Sequence, residues 1–171
     1  TKGITDDPPD VQIRRAAVEI ATETIRERGE PVPWPTLHAA IHQKLAQWGI
    51  LGRVAEGGAG GASPLDQVAE QVEAALDDPV FVRLAAGESG EELWWLAIPE
   101  GVEHPLCDRV ETGAHEVLQE ALALTEDDFT TRVHARFPGS LTPSAGLVAA
   151  CLRAYGSEPT RGYWQLRPED L

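Results

Sequence analysis

Apolar residues recur at helical spacing three times in the first half of the chain and three times in the second. From Val11, the positions Ile13, Ala17, Val18, Ala21 and Ile25 share one helix face, and Gly29 is the expected stop. Pro31, Pro33 and Pro35 predict an extended connector around Trp34, a core or lid residue. A second helix is expected from about Thr36 to Gly49, with Leu37, Ile41, Leu45 and Trp48 inward. Ser63-Pro64 is a start signal for a third, which turns Val68, Val72 and Leu76 inward and Asp66, Glu70, Gln71 and Glu73 outward until Asp77-Asp78-Pro79 ends it. Two strands follow, 80–84 and 93–96, joined by a glycine-containing loop.

The second half repeats this order. A helix over 106–121 places Val110, Val117 and Leu118 inward. Thr125 caps a helix with Phe129, Val133 and Phe137 on its core face, ended by Pro138-Gly139. Thr142-Pro143 opens a last helix whose apolar stripe is Leu147, Val148, Cys151, Leu152 and Tyr155. Ser157 to Arg161 is expected as a tip, and 162–166 as the closing strand.

The two halves also align residue by residue. Trp94 and Leu96 fall on Trp164 and Leu166 (164 − 94 = 70), and Ser63-Pro64 falls on Thr142-Pro143 (143 − 64 = 79). Leu37, Ile41-His42 and Lys44-Leu45 fall on Phe129, Val133-His134 and Arg136-Phe137 (129 − 37 = 92), and Val18, Ala21 and Ile25 on Val110, Gly113 and Val117 at the same offset. The chain therefore reads as a tandem duplication: a leader at 1–10, a first unit at 11–104 and a second at 105–171. The offsets differ through a longer wing loop and a flexible, glycine-rich insertion at 49–62. That insertion has glycine pairs but no Gly-Lys-Ser/Thr, which excludes a P-loop.

With 42% apolar and 25% charged residues the composition is that of a globular chain, and no apolar run approaches a membrane span or a signal peptide. A cytoplasmic location is the expectation. The chain starts at Thr1 and holds no methionine, as a piece excised from a larger protein would. The formal net charge is −14, which opposes phosphate binding, and the second half is the less acidic: 6 basic against 11 acidic residues, compared with 8 against 17 in residues 1–100. Cys107 and Cys151 both fall within helical patterns and are expected to be reduced, buried thiols.

Candidate chemistry is sparse. His38 and His42 have a spacing that zinc sites use, but no third ligand accompanies them, and Cys151 falls on Val72, a core position. No nucleophile–base or paired-carboxylate pattern can be placed. The expectation is therefore no enzyme, no metal, no cofactor and no small-molecule substrate. The tryptophans could stack bases, but Trp94 and Trp164 recur at one position, which favours core packing. The two third helices differ. The outward face is acidic in the first unit, whereas in the second Ser144, Ala145, Gly146, Ala149 and Ala150 are small and uncharged, with Arg153 at the far end and Arg161 and Arg167 on the wing.

Three helices followed by a two-stranded wing is the order of a winged helix-turn-helix domain, so the expected fold class is α+β, mostly helical, with two such units. The closing Gly162-Tyr163-Trp164-Gln165-Leu166-Arg167 resembles the last wing strand of HARE-type winged helices, found in bacterial RNA polymerase accessory subunits and in restriction or modification proteins. Leu93-Trp94-Trp95-Leu96, the Thr142-Pro143 helix and the Arg167-Pro168-Glu169 ending are similar to tails of large bacterial DNA methyltransferases of modification and defence systems. The resemblance implies a non-catalytic accessory module of a DNA-modifying or DNA-processing protein. Its second unit would touch DNA weakly; Ser144, Ala145, Ala149, Arg153, Arg161 and Arg167 are the candidate contacts, to nucleic acid or to a partner. The alternative is an acidic module docking another protein, or another domain of its own polypeptide, without DNA contact.

Overall fold

In the computed structural model, which describes residues 8–52, 63–86 and 91–170, helix α1 (Pro9–Arg28) begins with proline in its first turn, where a missing N–H breaks no intrahelical bond. The helix thus takes in Pro9 and Asp10, which the sequence had assigned to the leader; residues 1–7 lie outside the described residues. Gly29 ends it in the left-handed conformation (φ 66°), its N–H donating to the Ile25 carbonyl. The chain is α+β and mostly helical, and divides into two compact units, Thr1–Val102 and Glu103–Leu171.

In the first unit a two-residue strand β1 (Val32–Pro33) leads directly into α2 (Trp34–Gln47). Trp34 and Pro35 therefore belong to the helix, not to an extended connector, because proline is also tolerated at the second helical position. Residues 50–52 are helical again; the glycine-rich remainder, 53–62, lies outside the described residues, as do 87–90 between the next two strands. Helix α3 (Pro64–Ala75) is followed by strands β2 (Phe81–Ala86) and β3 (Glu91–Leu96). All three strands form one antiparallel sheet in the order β1-β3-β2, with Val32 opposite Trp94 and Phe81 opposite Leu96. The core joins Ile13, Ile20 and Ile25 of α1 to Leu37, Ile41 and Leu45 of α2, Val68 and Val72 of α3, and Phe81, Trp94 and Leu96 of the sheet.

In the second unit α4 (Leu106–Gln119), α5 (Glu126–Arg136) and α6 (Ala145–Tyr155) are followed by β4 (Gly156–Thr160) and β5 (Tyr163–Leu166). Thr125 caps α5, its hydroxyl accepting the Asp128 N–H at 3.1 Å. The cap of α6 is Ser144 rather than Thr142; its hydroxyl accepts the Leu147 N–H at 3.2 Å, and the helix starts two residues later than the Thr-Pro signal suggests. Ser157–Thr160, expected as a tip, is strand, with Gly156 opposite Leu166. Leu124 bridges Trp164 through two hydrogen bonds of 2.8 and 2.7 Å. This core is built around Phe129, with Val110, Val117 and Leu118 of α4, Val133 of α5 and Val148, Cys151 and Leu152 of α6. Burying side chains of this size contributes about 1.5–3 kcal/mol each.

The internal contacts of the two units correspond at the offsets read from sequence. Leu124 lies 92 positions after Val32 (124 − 32), and each is paired with its unit's repeated tryptophan. Lys44 of α2 reaches back to Glu23 of α1 at 3.7 Å, and its counterpart Arg136 reaches back from α5 to Glu116 and Glu120 of α4. His42 and His134, also counterparts, each keep a buried Nε2 with no hydrogen-bond partner. Where the first unit has Ala21 and Leu45, the second has Gly113 and Phe137. A Cβ on Gly113 would stand 3.0 Å from the Phe137 ring, so the larger side chain fits only because the facing one has lost its methyl.

Candidate functional site

Helix α6 presents one face to its own core and another to solvent. Val148, Cys151 and Leu152 are buried, while Ala145, Gly146, Ala150 and Arg153 are exposed and Ala149 is half-buried. Nothing on the exposed face projects beyond a methyl group until Arg153, so another surface could approach the helix backbone closely along this side. No acidic residue occurs in α6, in contrast to α3, where Asp66, Glu70 and Glu73 are all exposed.

The six candidate residues do not form one basic strip. Ser144 uses its hydroxyl as the helix cap. Arg153, on the last turn of α6, and Arg161, in the β4–β5 turn, are exposed, and their guanidinium groups have no hydrogen-bond or ion-pair partner among the described residues. Arg167 is turned inward. Its Nε–H donates to the Gly156 carbonyl at 3.0 Å, its Nη2–H to the Arg153 carbonyl at 2.7 Å, and its backbone N–H to the Tyr155 carbonyl at 2.9 Å. A guanidinium placed there satisfies carbonyls that the end of α6 leaves open and complements the negative end of the helix dipole.

The same end of α6 ties down the C-terminal residues. His115 of α4 donates through Nε2–H to the Asp170 carbonyl at 3.1 Å, and its ring meets Tyr155 edge-on at 5.6 Å. The Tyr155 hydroxyl donates to the Glu111 carboxylate, which, with burial, raises the phenol pKa. Burial, and then the charge of Glu111, raise the Cys151 thiol likewise, so it stays protonated. Cys107 differs from its expectation: it is exposed, because it faces outward on the first turn of α4.

No histidine, cysteine or carboxylate cluster capable of holding a metal occurs among the described residues. The His38 and His42 rings lie against each other, tilted, with centroids 4.2 Å apart, and the His38 and Trp34 rings meet edge-on at 5.0 Å. Among the described residues, no helix is long and apolar enough to cross a membrane. No protein-family model matches the chain, and no curated protein matches it.

Proposed function

We propose that the chain is a non-catalytic accessory module of a larger DNA-modifying or DNA-processing protein, built of two winged helix-turn-helix units, of which the second contacts DNA. Three features support the tandem architecture: the shared element order, the matched pairing of Val32 with Trp94 and Leu124 with Trp164, and the helix-to-helix ion pairs of Lys44 and Arg136. The observation that carries the DNA reading is the exposed face of α6, free of acidic residues, with Arg153 exposed on its last turn and Arg161 exposed in the β4–β5 turn. In a winged helix, the third helix and the wing are the elements that meet a groove and its phosphates. A module with so few cations and a net charge of −14 binds usefully only when tethered to a partner that raises its local concentration.

Fluorescence polarisation of a labelled duplex against salt tests this. With Arg153 and Arg161 each neutralising one phosphate, log affinity falls with log salt at a slope of about −1.8. Replacing both by alanine abolishes the binding. Arg167→Ala, by contrast, loosens the end of α6 and lowers the melting temperature. No salt-sensitive binding at low ionic strength, with the double variant indistinguishable from the parent, would sink the DNA reading. Docking to another protein is the second reading. It is favoured by the inward engagement of Arg167 and by the exposed apolar side chains Val82 and Leu84 on β2.

A further inference from the structure

The first unit contains a pocket of about 290 Å³ between the start of α2, the end of α3 and the sheet. Its aromatic wall is Trp34 and Trp94, ring centroids 6.0 Å apart and inclined by 46°. Around them stand three carboxylates: Glu73 from the last turn of α3, Asp77 from the connection just after it, and Glu92 from β3. The negative end of the α3 dipole points the same way. Among the described residues the pocket has one basic residue, Arg83, whose guanidinium lies over the Trp94 ring at 5.0 Å and pairs with Glu92 at 3.2 Å. Aromatic faces walled by carboxylates attract cations and repel anions. Arg83 shows that a guanidinium fits over this ring.

Arg83 leaves most of the negative charge unused. The carboxylates of Glu73 and Asp77 have no ion-pair or hydrogen-bond partner among the described residues. The Arg83–Glu92 pair is exposed on both sides, at 56% and 53% of side-chain surface, and a pair so exposed holds its partners weakly. The volume is at the small end for a ligand site, suited to a side-chain head group and not to a nucleotide.

We infer that this pocket binds a cationic side chain, arginine or lysine, from a basic segment of a partner protein, and that Arg83 occupies it in the partner's absence. On binding, the incoming cation takes the Trp94 face, Arg83 swings out into solvent, and Glu73 and Asp77 gain a counter-charge. The inference is independent of any DNA contact by the second unit, since every residue involved lies in the first.

The test is a titration of the full chain followed by the indole N–H signals of Trp34 and Trp94 in ¹⁵N–¹H spectra, with Trp48 and Trp164 as internal controls. The probes are blocked Gly-Arg-Gly and Gly-Lys-Gly peptides, tetramethylammonium, and blocked Gly-Glu-Gly. Saturable shifts confined to Trp34 and Trp94 are expected with the arginine and lysine peptides, at dissociation constants on the order of millimolar, and none with the glutamate peptide. The surface substitutions Glu73→Gln and Asp77→Asn together should weaken binding roughly ten-fold. Arg83→Ala removes the internal competitor and should strengthen it several-fold. Four results would each overturn the inference: no saturable shift with either basic peptide, equal binding by the glutamate peptide, undiminished binding by the double variant, or unchanged or weaker binding by Arg83→Ala. If tetramethylammonium binds as tightly as the peptides, the site belongs to small organic cations and the protein-partner assignment falls.

Discussion

Helices α3 and α6 occupy the same place in the order of their units and offer opposite surfaces. Inward, they match: Val72 and Cys151 fill equivalent buried positions. Outward, α3 carries Asp66, Glu70 and Glu73, where α6 carries alanine, glycine and a single arginine. The joints to the following strand differ as well. Between α3 and β2 five residues intervene, 76–80, whereas α6 passes into β4 with none. The core of such a unit is fixed by packing, so its surfaces and its connections are free to be assigned different work.

The joint is where that comparison can be broken most forcefully. A Cβ on Gly156 would stand 2.4 Å from the Leu152 carbonyl oxygen and 2.9 Å from the Trp164 ring, because the strand starts hard against the last turn of the helix. Backbone cannot yield as a side-chain end can. Gly156→Ala is expected to destabilise the second unit by about 3 kcal/mol or more, while the first unit's urea transition stays in place. Two superposed transitions that shift together would show the units to be one cooperative block.

A smaller effect lies at Gly113 and Phe137. Alanine is the better helix former by about 1 kcal/mol, but at Gly113 its methyl meets the Phe137 ring at 3.0 Å. Gly113→Ala alone should therefore destabilise or gain nothing. In a Phe137→Leu background, which restores the pair of the first unit, the same change should stabilise. A double-mutant cycle by urea denaturation is expected to give a coupling of about 1–2 kcal/mol; additivity would mean that the two sites do not sense each other.

The smallest effect is a pH dependence of the first unit. Burial, and then the neighbouring His38, lower the His42 pKa from its usual value of 6.5. The folded state then holds fewer protons than the unfolded state just below pH 6.5. Stability is fully present above that pH and falls as the solution is acidified through and below it. The counterpart of His42 in the second unit, His134, has Thr130 where His42 has His38, so a second imidazole is missing there. His38→Thr should flatten the decline of the first unit's urea midpoint between pH 7.5 and 5.5; an unchanged decline would assign it to other groups.

The three helices and closing strand of each unit were legible because helical periodicity and capping are local signals. What escaped depends on distant partners. Val32–Pro33 becomes a strand only by pairing with Trp94, and Ser157–Thr160, poor in strand formers and containing Pro159, only by pairing with β5 at a sheet edge. At Trp34-Pro35 and Thr142-Pro143 the proline signal was read two residues out of register, since proline suits a helix's first turn and an extended approach alike. Of the candidate residues, Arg153 and Arg161 are exposed as their polarity suggested, but the inward turn of Arg167 could not be read, because its acceptors are backbone carbonyls brought near by the fold. The aromatic and acidic pocket likewise gathers Trp34 from α2, Asp77 from the connection after α3 and Trp94 from β3, with no spacing in common.

The bridge from Leu124 to Trp164 also bears on how fast each unit can assemble. It joins residues 40 positions apart (164 − 124), whereas Val32 and Trp94 are separated by 62 (94 − 32). The longer closure costs about 0.4 kcal/mol more chain entropy, roughly a factor of two in rate if the strand closes in the transition state. The second unit is thus placed to close its sheet first.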